Sequence, residues 1–191
     1  MTSKTELRRR MLVVRRQCGL RLPQAGGAAA DHFPPELVVR GQTAAAYRPS
    51  EGEFDAMPLV RRLLAAGLSI ALPFAVERRS ALTFRLWRPG DPLEADAFGI
   101  PSPSPLRGPA SPDLVIVPVV AFDAAGNRLG QGAGCYDRTL AALRAKREVI
   151  AIGLAFAGQE VDRLEPEPHD QRLDAVLTEK GFRRFGPAFE R

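Results

Sequence analysis

Residues 113–138 read DLVIVPVVAFDAAGNRLGQGAGCYDR. Four glycines, Gly126, Gly130, Gly132 and Gly134, separate an apolar run over 114–117 from a helical pattern opened by Tyr136, Asp137 and Arg138. Glycine lets backbone N–H groups turn toward a ligand, and a helix N-terminus adds partial positive charge. The combination is an anion cradle, most often for phosphate. No Gly-Lys-Ser/Thr follows, which excludes the P-loop, and the G-x-G-x-G alternation is not the dinucleotide fingerprint.

A carboxylate at the mouth of such a cradle would repel its ligand unless a cation lay between them. Mg²⁺ takes one or two protein carboxylates together with phosphate oxygens, so Asp137 is a candidate metal ligand under a nucleotide polyphosphate. Helix capping by Asp137 is the alternative and stays open on these residues alone. Lys4 and Arg8 stand four residues apart on one helical face near an N-terminus, where positive charge opposes the dipole. A bound phosphate would resolve that conflict; a solvated basic face extended by Arg9, Arg10, Arg15 and Arg16 is the competing account. His169-Asp170 is either a solvated turn or a second carboxylate beside Asp137. Glu53, in RPSEGEFD, could accept hydrogen bonds from the amino groups of a heterocycle, and Trp87 could stack on a flat ring or belong to the core. Cys135 lies inside the glycine loop, where a helix N-terminus could lower its pKa, or it is simply small enough to fit. No Ser-His-Asp or Cys-His set competes for catalysis.

These residues need elements to hold them. Ser3 and Glu6 form a capping-box pair, which predicts a helix over 4–17 with Leu7, Met11 and Val14 as its apolar face. The small residues 26–30 read as a break and 35–40 as a second helix. Strands are expected over 43–47, 68–73, 82–87, 114–117, 149–155 and 175–178, with helices over 59–66 and 137–144. Such alternation predicts a mainly parallel α/β sheet with right-handed crossovers. Residues 89–112 hold seven of the 17 prolines, which excludes helix and central strand and leaves a covering loop or a linker; neither flank is large enough for an independent domain, which favours the covering loop. Ligands of open α/β sheets bind beyond the carboxyl ends of strands, so the loops after 114–117 and 149–155 should share one edge and make Asp137 and Asp170 neighbours.

The 191 residues suit one domain, and 45% apolar with 26% charged content is ordinary for a soluble protein. No apolar run approaches the ~20 residues of a membrane span, and the four apolar residues 11–14 between arginines are not a secretory signal. Cys18 and Cys135 lack the spacing of a zinc site or a disulfide framework and fit a cytoplasmic, reducing setting. A net charge of +5 favours anionic partners. With 7% aromatic content and no interleaved basic-aromatic stripe, a nucleic-acid partner is disfavoured.

In order and spacing, Lys4-x-x-x-Arg8, PSEGEFD, FRLWRPGDPL (84–93), AFGIPSP (97–103), the glycine block, GLAF (153–156) and EPEPHDQRLDAVLTE (165–179) resemble the 5-formyltetrahydrofolate cyclo-ligase family nearly end to end. That resemblance implies a three-layer α/β/α fold with a mainly parallel, Rossmann-like sheet in a single domain. It implies ATP- and Mg²⁺-dependent conversion of 5-formyltetrahydrofolate, with or without a polyglutamate tail, to 5,10-methenyltetrahydrofolate. By the same likeness ATP is held by Lys4, Arg8, Arg128, Gly130, Gln131, Gly132, Ala133, Gly134, Cys135 and Tyr136. Magnesium falls to Asp137 and Asp170. The folate is assigned to Arg48, Glu53, Gly132 and Gly134, with Trp87 as a stacking candidate, and catalytic charge neutralisation to Lys4 and Arg138. Ala133 and Cys135 depart from the usual loop, Cys135 replacing an aromatic ring, which leaves a non-catalytic folate- or nucleotide-binding relative as the alternative.

Overall fold

Successive residues of the expected strands point to opposite sides of one sheet, and both sides are apolar, which requires helices on each. The computed structural model describes residues 3–50 and 52–186. In chain order its strands are β1 (Thr43–Ala45), β2 (Ser69–Phe74), β3 (Thr83–Trp87), β4 (Leu93–Ala95), β5 (Pro101–Pro103), β6 (Pro109–Ala110), β7 (Leu114–Pro118), β8 (Ala121–Phe122), β9 (Arg128–Leu129), β10 (Ile150–Leu154), β11 (Ala175–Thr178) and β12 (Gly181–Arg184). The helices are α1 (Lys4–Arg21), α2 (Ala25–Asp31), α3 (Met57–Ala65) and α4 (Cys135–Arg144).

Eight strands make the main sheet in the order β12-β11-β10-β7-β1-β2-β3-β6. The five from β11 to β2 are parallel, while β12, β3 and β6 extend the edges antiparallel. Leu114, Ile116, Ile152, Leu154 and Ile70 face α2 and α3, whereas Val115, Val117, Ala151 and Val176 face Leu140 of α4. Each such aliphatic side chain taken out of water contributes about 1.5–3 kcal/mol. The result is the α/β/α layering.

Ser3 caps α1 as its spacing predicts, its Oγ accepting from the Glu6 N–H at 3.2 Å. The helix runs four residues beyond the expected 17. It packs through Met11 on the β8–β9 hairpin, with Val120, Ala121, Leu129 and Leu164, and through Cys18 on the main core. The expected break over 26–30 is instead helix α2. Small residues permit it: a Cβ at Gly26 would stand 2.7 Å from the Asp55 carbonyl oxygen, so close approach to the start of α3 replaces side-chain packing. The helix expected over 35–40 is one 3-10 turn, Pro35–Leu37. Helix α3 ends in a Schellman pairing, Leu68 N–H to Leu63 O at 3.1 Å and Gly67 N–H to Leu64 O at 3.0 Å. The proline-rich stretch carries the β4–β5 hairpin and edge strand β6, positions that proline tolerates. Among the described residues no helix is long and apolar enough to cross a membrane.

Chain order reverses between β7 and β1: β2 and β3 follow on one side, β10 and β11 on the other. Such a switch leaves a crevice at the carboxyl ends of the two strands.

Candidate functional site

The crevice is a cavity of about 470 Å³. Its floor comes from the ends of β2 and β7 (Leu72, Pro73, Val117, Pro118), and one wall from the proline-rich cover through Phe98 and Ser102. Helix α1 supplies another wall because positions 4, 8, 11 and 15 share a face: Met11 anchors the helix, and Lys4, Arg8 and Arg15 line the cavity.

The glycine-rich segment makes two structures in succession. Residues 121–129 form the β8–β9 hairpin, and Gly134 then starts α4 from a left-handed conformation (φ 68°, ψ 13°) that glycine adopts without cost. The first amides of α4 open at this bend, with partial positive charge and without helical acceptors of their own. Arg8 braces the bend by donating from Nε to Gly130 O at 2.8 Å. Arg138 folds back on the loop and donates to the Ala133 carbonyl.

Two carboxylates stand beside the bend. Asp137 Oδ1 accepts from both Arg128 terminal nitrogens, at 2.8 and 3.1 Å, and from the Gln171 N–H at 2.9 Å. Burial pulls the Arg128 guanidinium down from its usual range, opposed by the Asp137 charge, and its Nε has no hydrogen-bond partner. Asp170 Oδ2 accepts from Lys4 Nζ at 3.0 Å and from the Glu167 N–H at 2.8 Å; Lys4 also reaches Glu167 at 2.7 Å. Burial alone would raise the Asp170 carboxyl, but the Glu167 amide and Lys4 outweigh it and hold the group below the usual carboxylate range. Burial likewise opposes the Lys4 ammonium, and the bonds to Glu167 and Asp170 more than compensate, so Lys4 is shifted upward. Both stay ionised at neutral pH.

Glu53, its side chain 8% exposed, accepts from the Ser50 N–H and from Nε2 of Gln131 in the glycine loop, each at 2.9 Å. Tyr47 donates its hydroxyl to Phe54 O at 2.8 Å. Burial and the Glu53 charge push the Tyr47 phenol well up, and burial with Glu53 also raises Tyr136.

Every residue assigned above to ATP or metal lines this one cavity, together with Arg48 and Glu53. Two residues stand apart. Arg138 is exposed outside the lining, and Trp87 is 5% exposed within the apolar core beside β2, so it offers no stacking face to the cavity. Arg15 entered above only as part of the competing solvated face, whereas the structure buries it; the four- and seven-residue steps from Lys4 to Arg8 to Arg15 are the signal that could have found it. Tyr47, Phe98 and Ser102 were not singled out, and nothing local marks them. Among the described residues no three His, Cys, Asp or Glu side chains cluster as a complete metal cage.

Comparison with known proteins gives a consistent result. The model of the 5-formyltetrahydrofolate cyclo-ligase family matches residues 1–179. The 5-formyltetrahydrofolate cyclo-ligase of Mycolicibacterium smegmatis is 34% identical over 186 residues, covering 93% of this chain and 94% of that protein. That of Escherichia coli K12 is 34% identical over 151 residues, covering 76% and 81%. The NMR structure of Aquifex aeolicus 5,10-methenyltetrahydrofolate synthetase superposes with a TM-score of 0.76 at 30% identity, over 96% of this chain and 93% of that one.

Proposed function

The chain belongs to the 5-formyltetrahydrofolate cyclo-ligase family, and from that premise we propose that one domain uses this cavity to close 5-formyltetrahydrofolate to 5,10-methenyltetrahydrofolate at the expense of ATP. Membership makes the protein an enzyme, a ligase of folate metabolism. The observation that carries the mechanistic reading is the pairing, in one cavity, of a phosphate-type cradle at the start of α4 with a nearly buried carboxylate, Glu53, that Gln131 of the same loop holds in place.

A formamide oxygen is a poor leaving group. The γ-phosphoryl group of ATP is transferred to that oxygen, with release of ADP. The N10 lone pair then attacks the formyl carbon, the carbon–oxygen bond breaks with departure of phosphate, and N10 gives up its proton as the ring closes. Phosphoryl transfer asks for positioning and charge neutralisation rather than a protein nucleophile. The α4 amides and Gly130–Gly134 would cradle the phosphates, Lys4 and Arg8 would neutralise them, and Arg128, with its unsatisfied Nε, has a donor to spare. Arg138 braces the loop at Ala133 and keeps cationic charge near the rim.

The donor set suits a hard divalent ion. Asp137 Oδ2 has no hydrogen bond among the described residues, and Asp170, the neighbour of the Gln171 whose amide Asp137 accepts, lines the same cavity, so these two carboxylates would hold Mg²⁺ together with phosphate and water. When bound, the ion supplies Lewis-acid neutralisation of charge on the transferring phosphoryl group. Glu53 would accept from the amino and ring N–H groups of the pterin, and Arg48, exposed at the edge, is available to a glutamate tail. Both cysteines are free thiols, in keeping with a cytoplasmic setting.

The test follows methenyl absorbance with purified protein, 5-formyltetrahydrofolate and Mg²⁺, with and without ATP. Product formed only with ATP is expected; folate and nucleotide binding without product would instead mark a non-catalytic relative.

A further inference from the structure

Arg15 is 5% exposed, yet it is not a structural cation tied down by the fold. Its Nε has no hydrogen-bond partner. Among the described residues its carboxylate neighbour is Glu53, whose Oε1 stands 3.7 Å from Nη1, beyond hydrogen-bonding distance. Glu53 is already engaged by Ser50 and Gln131, and the nearby Tyr47 hydroxyl is committed to Phe54 O. Burying a guanidinium Nε–H without an acceptor is costly, and such cost is retained where a ligand supplies what is missing. Arg15 and Glu53 line the same cavity, so the acceptor can come from its occupant.

We propose that Arg15 is a substrate-binding and specificity-determining residue that donates to the carbonyl oxygen of the folate's pterin ring while Glu53 accepts from the adjacent ring N–H and amino group. This rests on the cyclo-ligase reading. The chemistry is complementary: the 2-amino-4-oxo edge presents donor, donor, acceptor in a row, and a carboxylate with a guanidinium beside it presents acceptors and a donor in the matching order. Arg15 thereby rejects a ring bearing an amino group in place of the carbonyl, because two donors would face each other without an acceptor.

The test compares wild type, Arg15→Met and Arg15→Lys by equilibrium binding of 5-formyltetrahydrofolate and of its analogue with the carbonyl replaced by an amino group, alongside KM for folate and ATP. Arg15→Met should raise the folate Kd and KM about 10- to 100-fold, the size of one charge-assisted hydrogen bond, with the ATP KM within about twofold. It should also shift preference between the two rings by a similar factor toward the amino analogue. Arg15→Lys, which keeps the charge and loses the fork, should recover part of both effects. An unchanged ring preference in the variants overturns the proposal, since a residue that only steadies Glu53 would weaken both ligands alike. So does a penalty that disappears with 5-formyltetrahydropteroate, which lacks the glutamate and would assign Arg15 to the tail. If Arg15→Met does not fold, the lysine variant and the wild-type ring preference decide, and equal wild-type affinity for both rings overturns it. Inactive wild type would instead refute the cyclo-ligase reading, leaving ring preference measurable by binding alone.

Discussion

Replacement of Asp137 separates its structural duty from its proposed chemical one. In Asp137→Ala three hydrogen bonds vanish, two from Arg128 and one from the Gln171 amide. The Arg128 side chain, 4% exposed and with Nε already unsatisfied, loses its main counter-charge. Removing one partner of a fully buried pair costs about 3–5 kcal/mol; Asp137 is 16% exposed, so water can partly take its place and about 2–4 kcal/mol is expected. For a chain of this size that lowers Tm by roughly 5–12 °C. Asp137→Asn keeps a carbonyl oxygen for Arg128 and Gln171 and loses the charge, so it should cost only about 1–2 kcal/mol. Turnover separates the two roles in the other direction. If Asp137 holds magnesium, Asp137→Asn should lose about 100-fold or more in kcat and need more Mg²⁺ for half-maximal rate, although it folds. Denaturant melts with Mg²⁺ titrations of the rate provide both readings. Wild-type turnover with an unaltered Mg²⁺ requirement in Asp137→Asn would refute the metal assignment, and an unchanged melt in Asp137→Ala would refute the Arg128 pairing.

Lys4→Met should cut turnover by about 100- to 1,000-fold while changing stability by no more than about 1 kcal/mol, because a side chain one-third exposed contributes little through its ion pairs; parallel rate and melting measurements check this. Gly134→Ala forces a side chain into φ 68° and sets its Cβ 2.9 Å from Arg138 Nη1, so about 1–2 kcal/mol of stability and much of the ATP affinity should be lost, as read from melts and nucleotide titration. The Lys4–Asp170 pair sets a pH window. A depressed carboxyl contributes above its unfolded pKa and loses that contribution as pH falls through its lower folded value; a raised ammonium contributes below its unfolded pKa and loses it as pH rises through its higher folded value. The stability deficit of Asp170→Asn should therefore be flat from about pH 5 to pH 9 and fade below about pH 3; a deficit that grows on acidification would contradict the pairing.

The sheet was legible because its strands are short apolar runs between turn residues, and residues 175–178 coincide with β11. The glycine bend was legible because its backbone demands leave few residue choices. Helix α2 was hidden, since its stability comes from close contact with the start of α3, and AGGAA carries no local signal of that partner. Strand β12 was missed because a half-exposed edge strand, GFRR, has little apolar pattern. Arg15 was not singled out for a related reason. Surrounding arginines made it look solvated, and only the packing of α1 on the β8–β9 hairpin decides which of them turns inward. Trp87 stood open between core and stacking because it is an aromatic in a site-like motif; its burial in the apolar core decides for the core.

The most direct measurement places ¹⁸O in the formyl oxygen of 5-formyltetrahydrofolate and follows it through one turnover with ATP and Mg²⁺. Transfer of the phosphoryl group to that oxygen predicts ¹⁸O in the released inorganic phosphate and none in ADP. Label recovered in water, with unlabelled phosphate, would contradict the account.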